Sequence, residues 1–155
     1  MTLLVLGVLL FAGVHFIPSL APALKASWVS RMGENGYKGT FSLLLLLAFG
    51  LMIAGWRSAD ATHLYAPPAS SGELSSALYP VALALIALAF LIMTTSNRNS
   101  RIRRLVRHPQ LTGVIIWGGS HLLLNGDSRS AVLFGGLSLW ALIEIFAINR
   151  RDGVW

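Results

Sequence analysis

Long apolar runs alternate with short polar segments along the whole chain, and the length of the runs decides how they are read. A helix needs about 20 apolar residues to cross the ~30 Å hydrocarbon core, and shorter stretches are tolerated when buried among neighbours. Five runs qualify: 2–21, 39–56 with its unbroken Leu43 to Leu47, 77–93, the short 111–124, and 130–148. This pattern predicts an all-α, polytopic membrane helix bundle of five transmembrane helices, forming a single domain over 1–155. The segments between the runs are rich in Gly, Pro, Ser and Asn. Pro67-Pro68-Ala69-Ser70-Ser71-Gly72 reads as a loop because Pro and Gly stop helices. Asn125-Gly126-Asp127 reads as the tight turn between the last two helices. No internal repeat is evident.

Composition agrees with a membrane class. Of the 155 residues, 55% are hydrophobic and only 12% are charged, against about a quarter charged in a soluble globule. Cysteine is absent, which excludes disulfides, thiolate ligands, iron–sulfur clusters and cysteine nucleophiles. Any metal ligand has to be His, a carboxylate, Met or Tyr. The net charge of +6 would suggest nucleic acid in a soluble protein, but the basic residues fall between the apolar runs and read as membrane-orienting charges. Membrane lipid, and no nucleic acid, is the expected partner.

The charges also orient the bundle. With the N-terminus outside, the inner side collects Lys25, Arg31, Lys38, Arg98, Arg101, Arg103, Arg104, Arg107, Arg150 and Arg151, and the outer side keeps Arg57 and Arg129. A ten-to-two split is what the positive-inside rule expects of short loops, and removing any one span would scramble it. The C-terminus is then cytoplasmic, as expected of an inner-membrane protein. The run from Leu3 lacks a basic leader and a small-x-small site before a soluble domain, so it reads as a retained first span rather than a signal peptide. Trp28, Trp56 and Trp155 fit interfacial anchors.

An ionisable side chain inside a span is costly and marks a candidate functional site. His15, His121 and Glu144 stand out. At 1.5 Å rise per residue, His15 lies roughly 9 Å, His121 roughly 15 Å and Glu144 about 6 Å from the cytoplasmic boundary. Two imidazoles at similar depth on different helices are what axial ligation of haem requires. Gly13 beside His15, and Gly118, Gly119 and Ser120 before His121, offer room for a porphyrin. The alternative reading is that each histidine hydrogen-bonds a neighbouring helix. Pro18 kinks the first helix or marks its end.

His108 sits in Arg107-His108-Pro109 at the cytoplasmic mouth of the fourth helix, where Pro is tolerated in the first turn and unpaired N–H groups attract anions. With Arg101, Arg103, Arg104 and Arg107 it could hold a haem propionate, a phosphate headgroup or a nucleotide-like cofactor. As an orientation signal touching anionic lipid, the arginines need no further explanation. His63, in the outer loop, has no identifiable partner in the sequence and reads as a surface residue.

These motifs resemble the NnrU family of bacterial membrane proteins, to which the plant and cyanobacterial 15-cis-zeta-carotene isomerase is related. The match is carried by Gly13-Val14-His15-Phe16-Ile17-Pro18-Ser19, by Arg107-His108-Pro109-Gln110-Leu111-Thr112-Gly113, and by Trp117 with His121-Leu122-Leu123-Leu124-Asn125-Gly126-Asp127, including the thirteen-residue step from His108 to His121. The resemblance implies a haem b protein. The isomerase's ligating histidines match His15 and His121, while His108 matches a further family histidine outside that pair. The isomerase's proposed switch to a cysteine ligand has no counterpart in a chain without cysteine. The family implies a role in denitrification and nitric oxide metabolism, with a respiratory or denitrification protein as partner and with redox or isomerase chemistry left open. A second resemblance is to isoprenylcysteine-type membrane methyltransferases, which use Arg-His-Pro-x-x-x-Gly to hold S-adenosylmethionine. Those enzymes usually carry paired glutamates further on, where only Glu144 stands here. A non-catalytic accessory subunit, with the polar residues serving helix packing, is the third class.

Overall fold

The structure, a computed structural model, describes residues 1–68, 73–94 and 105–153. Arg98, Arg101, Arg103 and Arg104 of the basic loop, residues 69–72 of the loop expected at 67–72, and Trp155 lie outside the described residues. The helices are α1 (Thr2–Leu20), α2 (Pro22–Ser58), α3 (Glu73–Thr94), α4 (Pro109–Leu124) and α5 (Ser128–Asp152), the last containing a π-helical turn at Ala131–Gly135. The only β pairing among the described residues is an isolated bridge between His63 and Asp127. The all-helical membrane class is therefore observed. Among the described residues, α1, α2, α5 and the Ser76–Thr94 part of α3 are long and apolar enough to cross a membrane. The 16 residues of α4 rise about 24 Å, short of the ~30 Å core.

The second helix starts far earlier than hydropathy suggests. Residues 22–38, expected as a loop, are helical apart from Gly33, whose φ of 71° and ψ of 169° break α2. Pro22 occupies the first helical position, where its fixed φ is favourable, and Ala23, Leu24, Lys25 and Ala26 are good helix formers. Gly33 supplies the positive φ that a side chain would resist. Across this break the Trp28 ring meets Tyr37 edge-on at 5.2 Å between centroids, and the Lys25 ammonium lies 5.7 Å from the Tyr37 ring centre.

The chain divides into two compact units. The first comprises Met1–Asp60 and Phe146–Trp155. Here α1 and α2 form an antiparallel hairpin on small residues: a Cβ on Gly7 would lie within 2.9 Å of Met52 and Ala48, and one on Gly55 would overlap the Leu4 backbone. Leu4 and Ala48 are wholly buried in this seam, whereas Leu43, Leu46, Leu47 and Ile53 are exposed on the apolar outside. Small residues let helix backbones approach where no hydrophobic driving force separates lipid from protein.

The end of α1 is held by the far end of the chain. A helical carbonyl at Pro18 would accept from the N–H of residue 22, but Pro22 has none. Arg151 fills the vacancy: its Nη1 donates to the Pro18 carbonyl at 2.9 Å while its Nε and Nη2 donate to Asp152 at 2.7 and 2.9 Å. A cation there also complements the negative end of α1, which has no basic residue in its own last turn.

The second unit is Ala61–Ile145. Here α3 and α4 run antiparallel, Gly113 packing on the Ala89 carbonyl and Met93, and α4 runs antiparallel to α5, Gly118 packing on the Phe134 carbonyl and Ser138 Oγ.

Because the atoms facing Gly55 are backbone, they cannot rotate away. Gly55→Leu should therefore destabilise the protein by about 2 kcal/mol or more, while Gly50→Leu, which meets nothing within 4 Å, should stay within about 0.5 kcal/mol of wild type. Unfolding in detergent micelles, followed by far-UV circular dichroism, checks both.

Candidate functional site

His15 lies one turn beyond Phe11 on α1, and its Nδ1 is 2.9 Å from the Phe11 carbonyl oxygen. A carbonyl can only accept, so Nδ1 carries the proton and Nε2 carries the lone pair. This tautomer is the one metal-ligating histidines adopt when a backbone carbonyl orients them. The ring is walled by aromatics: Phe11 at 4.2 Å and Phe41 of α2 edge-on at 5.6 Å between centroids. Gly13 has open space where a Cβ would stand.

His121 is on the last turn of α4, and stacking holds it. The Phe134 ring lies parallel to it, 4.1 Å away and tilted by 5°, and Trp117 meets both rings edge-on at about 5 Å. Phe134 belongs to the π-helical turn, which carries an extra residue per turn and so changes the face its ring presents. Such turns recur at functional sites. The small residues before His121 divide in use. Gly118 is filled by α5, Ser120 is buried with its Oγ donating to the Ile116 carbonyl at 2.6 Å, and Gly119 alone of the three is exposed with open space.

The turn after His121 is built more tightly than its composition suggests. Asn125 closes α4 by donating both its backbone N–H and its Nδ2 to the His121 carbonyl at 2.9 Å. Asp127 caps α5: Oδ1 accepts from the Arg129 and Ser130 N–H groups at 3.0 and 3.1 Å, and Oδ2 accepts from Ser130 Oγ at 2.8 Å. The outer loop docks on this turn. Leu64 and Tyr65 donate their N–H groups to the Gly126 carbonyl at 2.8 and 3.3 Å, and Ser128 donates to the Thr62 carbonyl at 2.9 Å. His63, expected as a lone surface residue, is exposed but sits in this bridge opposite Asp127. The Tyr65 hydroxyl reaches the carbonyls of Leu122 and Asn125. Burial and the Asp127 charge raise the pKa of Tyr65. For Asp127, burial acts upward, but hydrogen bonds from Ser130 and Arg129 and the Arg129 guanidinium outweigh it and hold the carboxyl below its ordinary value.

At the opposite end of α4, His108 is the residue preceding the helix and Pro109 opens it. Among the described residues, Arg107 Nη1 is buried without a hydrogen-bond partner. Glu144 is buried in α5. The observed helix limits alter the depths read from hydropathy. His15 is five residues, about 7.5 Å, from the end of α1, while His121 is twelve residues, about 18 Å, from the start of α4 and only about 4.5 Å from its end. Measured along its own helix, His121 moves outward, and the near-level pairing of His15 and His121 does not follow from the helix boundaries. His15 lies in the first unit and His121 in the second. No cluster of three or more His, Asp or Glu suited to a bare metal ion occurs among the described residues.

Both histidines have an aromatic residue four positions earlier, Phe11 and Trp117, a spacing legible in the sequence. Phe134 and Tyr65 are not legible, because one depends on the π turn and the other on a contact 57 residues away.

Apolar helices of spanning length, two of them hinged on glycine contacts, and imidazoles set among aromatic rings define a multi-pass helical membrane protein. The family model described as NnrU protein matches residues 3–155, and the chain belongs to the NnrU family. No curated protein matches it, and no solved structure matches it.

The Asp127 cap carries a pH signature. A carboxyl whose folded pKa is depressed contributes stability above its unfolded value and loses it as the pH falls through the folded value. Wild-type stability should therefore decline on acidification below about pH 4. Asp127→Asn, which keeps the cap and removes the charge, should flatten that decline, and Asp127→Ala should cost about 1 kcal/mol at neutral pH. Thermal unfolding between pH 3 and 7 measures all three.

Proposed function

We propose that the chain is a b-type haem protein of the bacterial inner membrane, with His15 and His121 as axial ligands, serving nitrogen-oxide metabolism through a redox role. The observation that carries this reading is the His15 Nδ1 bond to the Phe11 carbonyl, which leaves Nε2 as the donor atom. The stacked Phe134, which fixes the plane of the His121 ring, supports it from the second unit. The support comes from each histidine in its own surroundings and from membership of the family. His15 and His121 would hold the haem, which would supply a one-electron iron couple suited to electron transfer. The protein's own part is to present the imidazoles, exclude water with Phe11, Phe41, Trp117 and Phe134, and offer an anion contact at Arg107, whose buried Nη1 lacks an acceptor. A propionate or a lipid phosphate has that chemistry.

Five crossings, with the N-terminus outside and the C-terminus cytoplasmic, belong to the same reading. The Arg151 bond to Pro18 joins the C-terminal ends of α5 and α1, which supports an arrangement with both ends on one face of the membrane. Two helices that run the same way are separated by an odd number of crossings. α2 and α3 supply two, and α4 completes three despite its length.

Purified protein should show a Soret band, directly or after addition of haemin. His15→Ala and His121→Ala should each abolish the bis-imidazole spectrum, and His108→Ala should leave it largely intact. Absence of a Soret band after reconstitution overturns the reading. The topology is checked with single cysteines in this cysteine-free chain. Ala61→Cys should react with an impermeant maleimide in intact spheroplasts, and Glu34→Cys and Arg150→Cys only after lysis.

A further inference from the structure

The last carbonyls of any helix lack donors within it, and in α4 these belong to the turn that carries His121. Asn125 satisfies the His121 carbonyl. For Leu122 the donor comes from outside the helix: the Tyr65 hydroxyl is 2.6 Å from the Leu122 carbonyl oxygen and 2.8 Å from that of Asn125, so one proton is shared between two acceptors. The phenol is delivered by main-chain pairing. Leu64 and Tyr65 are tied to the Gly126 carbonyl, Ser128 to the Thr62 carbonyl, and the Thr62 N–H to Ser128 Oγ at 3.1 Å. The pairing requires glycine, since a Cβ on Gly126 would overlap the Tyr65 carbonyl oxygen.

We propose that Tyr65 is a positioning residue for His121: its hydroxyl clamps the final turn of α4, and so fixes the backbone from which the imidazole projects. What His121 holds rests on the haem reading above, whereas the clamp stands on the hydrogen bonds alone. Two devices then divide the task. Phe134 sets the plane of the ring from the α5 side, and Tyr65 sets the height and pitch of the turn from the outer loop. With the hydroxyl gone, the Leu122 carbonyl has no donor from the loop, the turn opens more often, and the imidazole leaves its place. Tyr65 is 41% exposed, so Tyr65→Phe removes one hydroxyl without opening a cavity, and the variant keeps its fold.

Two measurements test the proposal. In haem-loaded protein, Tyr65→Phe should show a high-spin five-coordinate fraction absent from wild type, and carbon monoxide should bind about threefold to tenfold faster, the worth of one hydrogen bond. An unchanged spin state and rate, in a wild type whose spectrum depends on His121, overturns the proposal. The second measurement needs no haem: His121→Cys is labelled with a methanethiosulfonate in detergent, with and without Tyr65→Phe. Labelling should accelerate by a similar factor when the hydroxyl is removed, and equal rates overturn the clamp. A wild type without a Soret band removes the haem reading, and the labelling rates then decide the clamp by themselves.

Discussion

A backbone in hydrocarbon has no water to complete its hydrogen bonds, so every interruption of a helix has to find its partner within the chain. Much of this structure follows from that demand. Where α1 meets α2, Pro22 has no N–H to offer the Pro18 carbonyl four residues back, and Arg151 supplies the donor from the C-terminal end of α5. Where α4 stops, Asn125 and Tyr65 supply the missing donors. Inside the helices, Ser19, Thr40, Thr94 and Ser120 return their hydroxyls to carbonyls three or four residues back. His15 does the same with Nδ1. The rule that a polar atom in lipid must be satisfied is thus also what selects the tautomer of the imidazole.

Packing obeys a related economy. Lipid tails are as apolar as leucine, so burial alone gives helices little reason to associate, and close backbone approach has to do so. Glycine provides it at the α1–α2 seam through Gly7 and Gly55, and at the α4–α5 seam through Gly118. The second seam bears directly on the candidate site, because one of the residues that meet Gly118 from across the seam is Phe134, whose ring lies on His121. A glycine that looks like vacant space for a cofactor is occupied by the neighbouring helix, and the space that remains open is at Gly119 and, in the other unit, at Gly13.

What the sequence made legible was whatever depends on composition over a helical turn or more. Apolar runs announce the helices, and histidines inside them announce themselves as costly. The limits of the elements were less legible for identifiable reasons. Residues 22–38 are polar enough to read as a loop, yet Pro22 and the helix formers after it build helix up to Gly33, which adopts a positive φ. Pro109 and Gln110 extend α4 below its apolar run, which shifts the apparent depth of His121. The π turn is invisible because nothing in Ala131–Gly135 encodes an extra residue per turn; it arises from packing. Tyr65 is invisible because its partners are 57 and 60 residues away.

The two imidazoles are therefore not equivalent. His15 is secured within its own helix, by a bond to a carbonyl four residues back in a stretch of regular α1, so moving its ring means breaking a directional hydrogen bond. His121 stands on the last turn of the shortest of the long helices, where ends fray most readily, and among the described residues its ring is held by stacking rather than by a hydrogen bond to a ring nitrogen. Stacking tolerates sliding in a way that a directional bond does not. The physics of the two attachments therefore makes His121 the more easily displaced of the two rings, and places the control of its position in the loop and the π turn that hold its helix end.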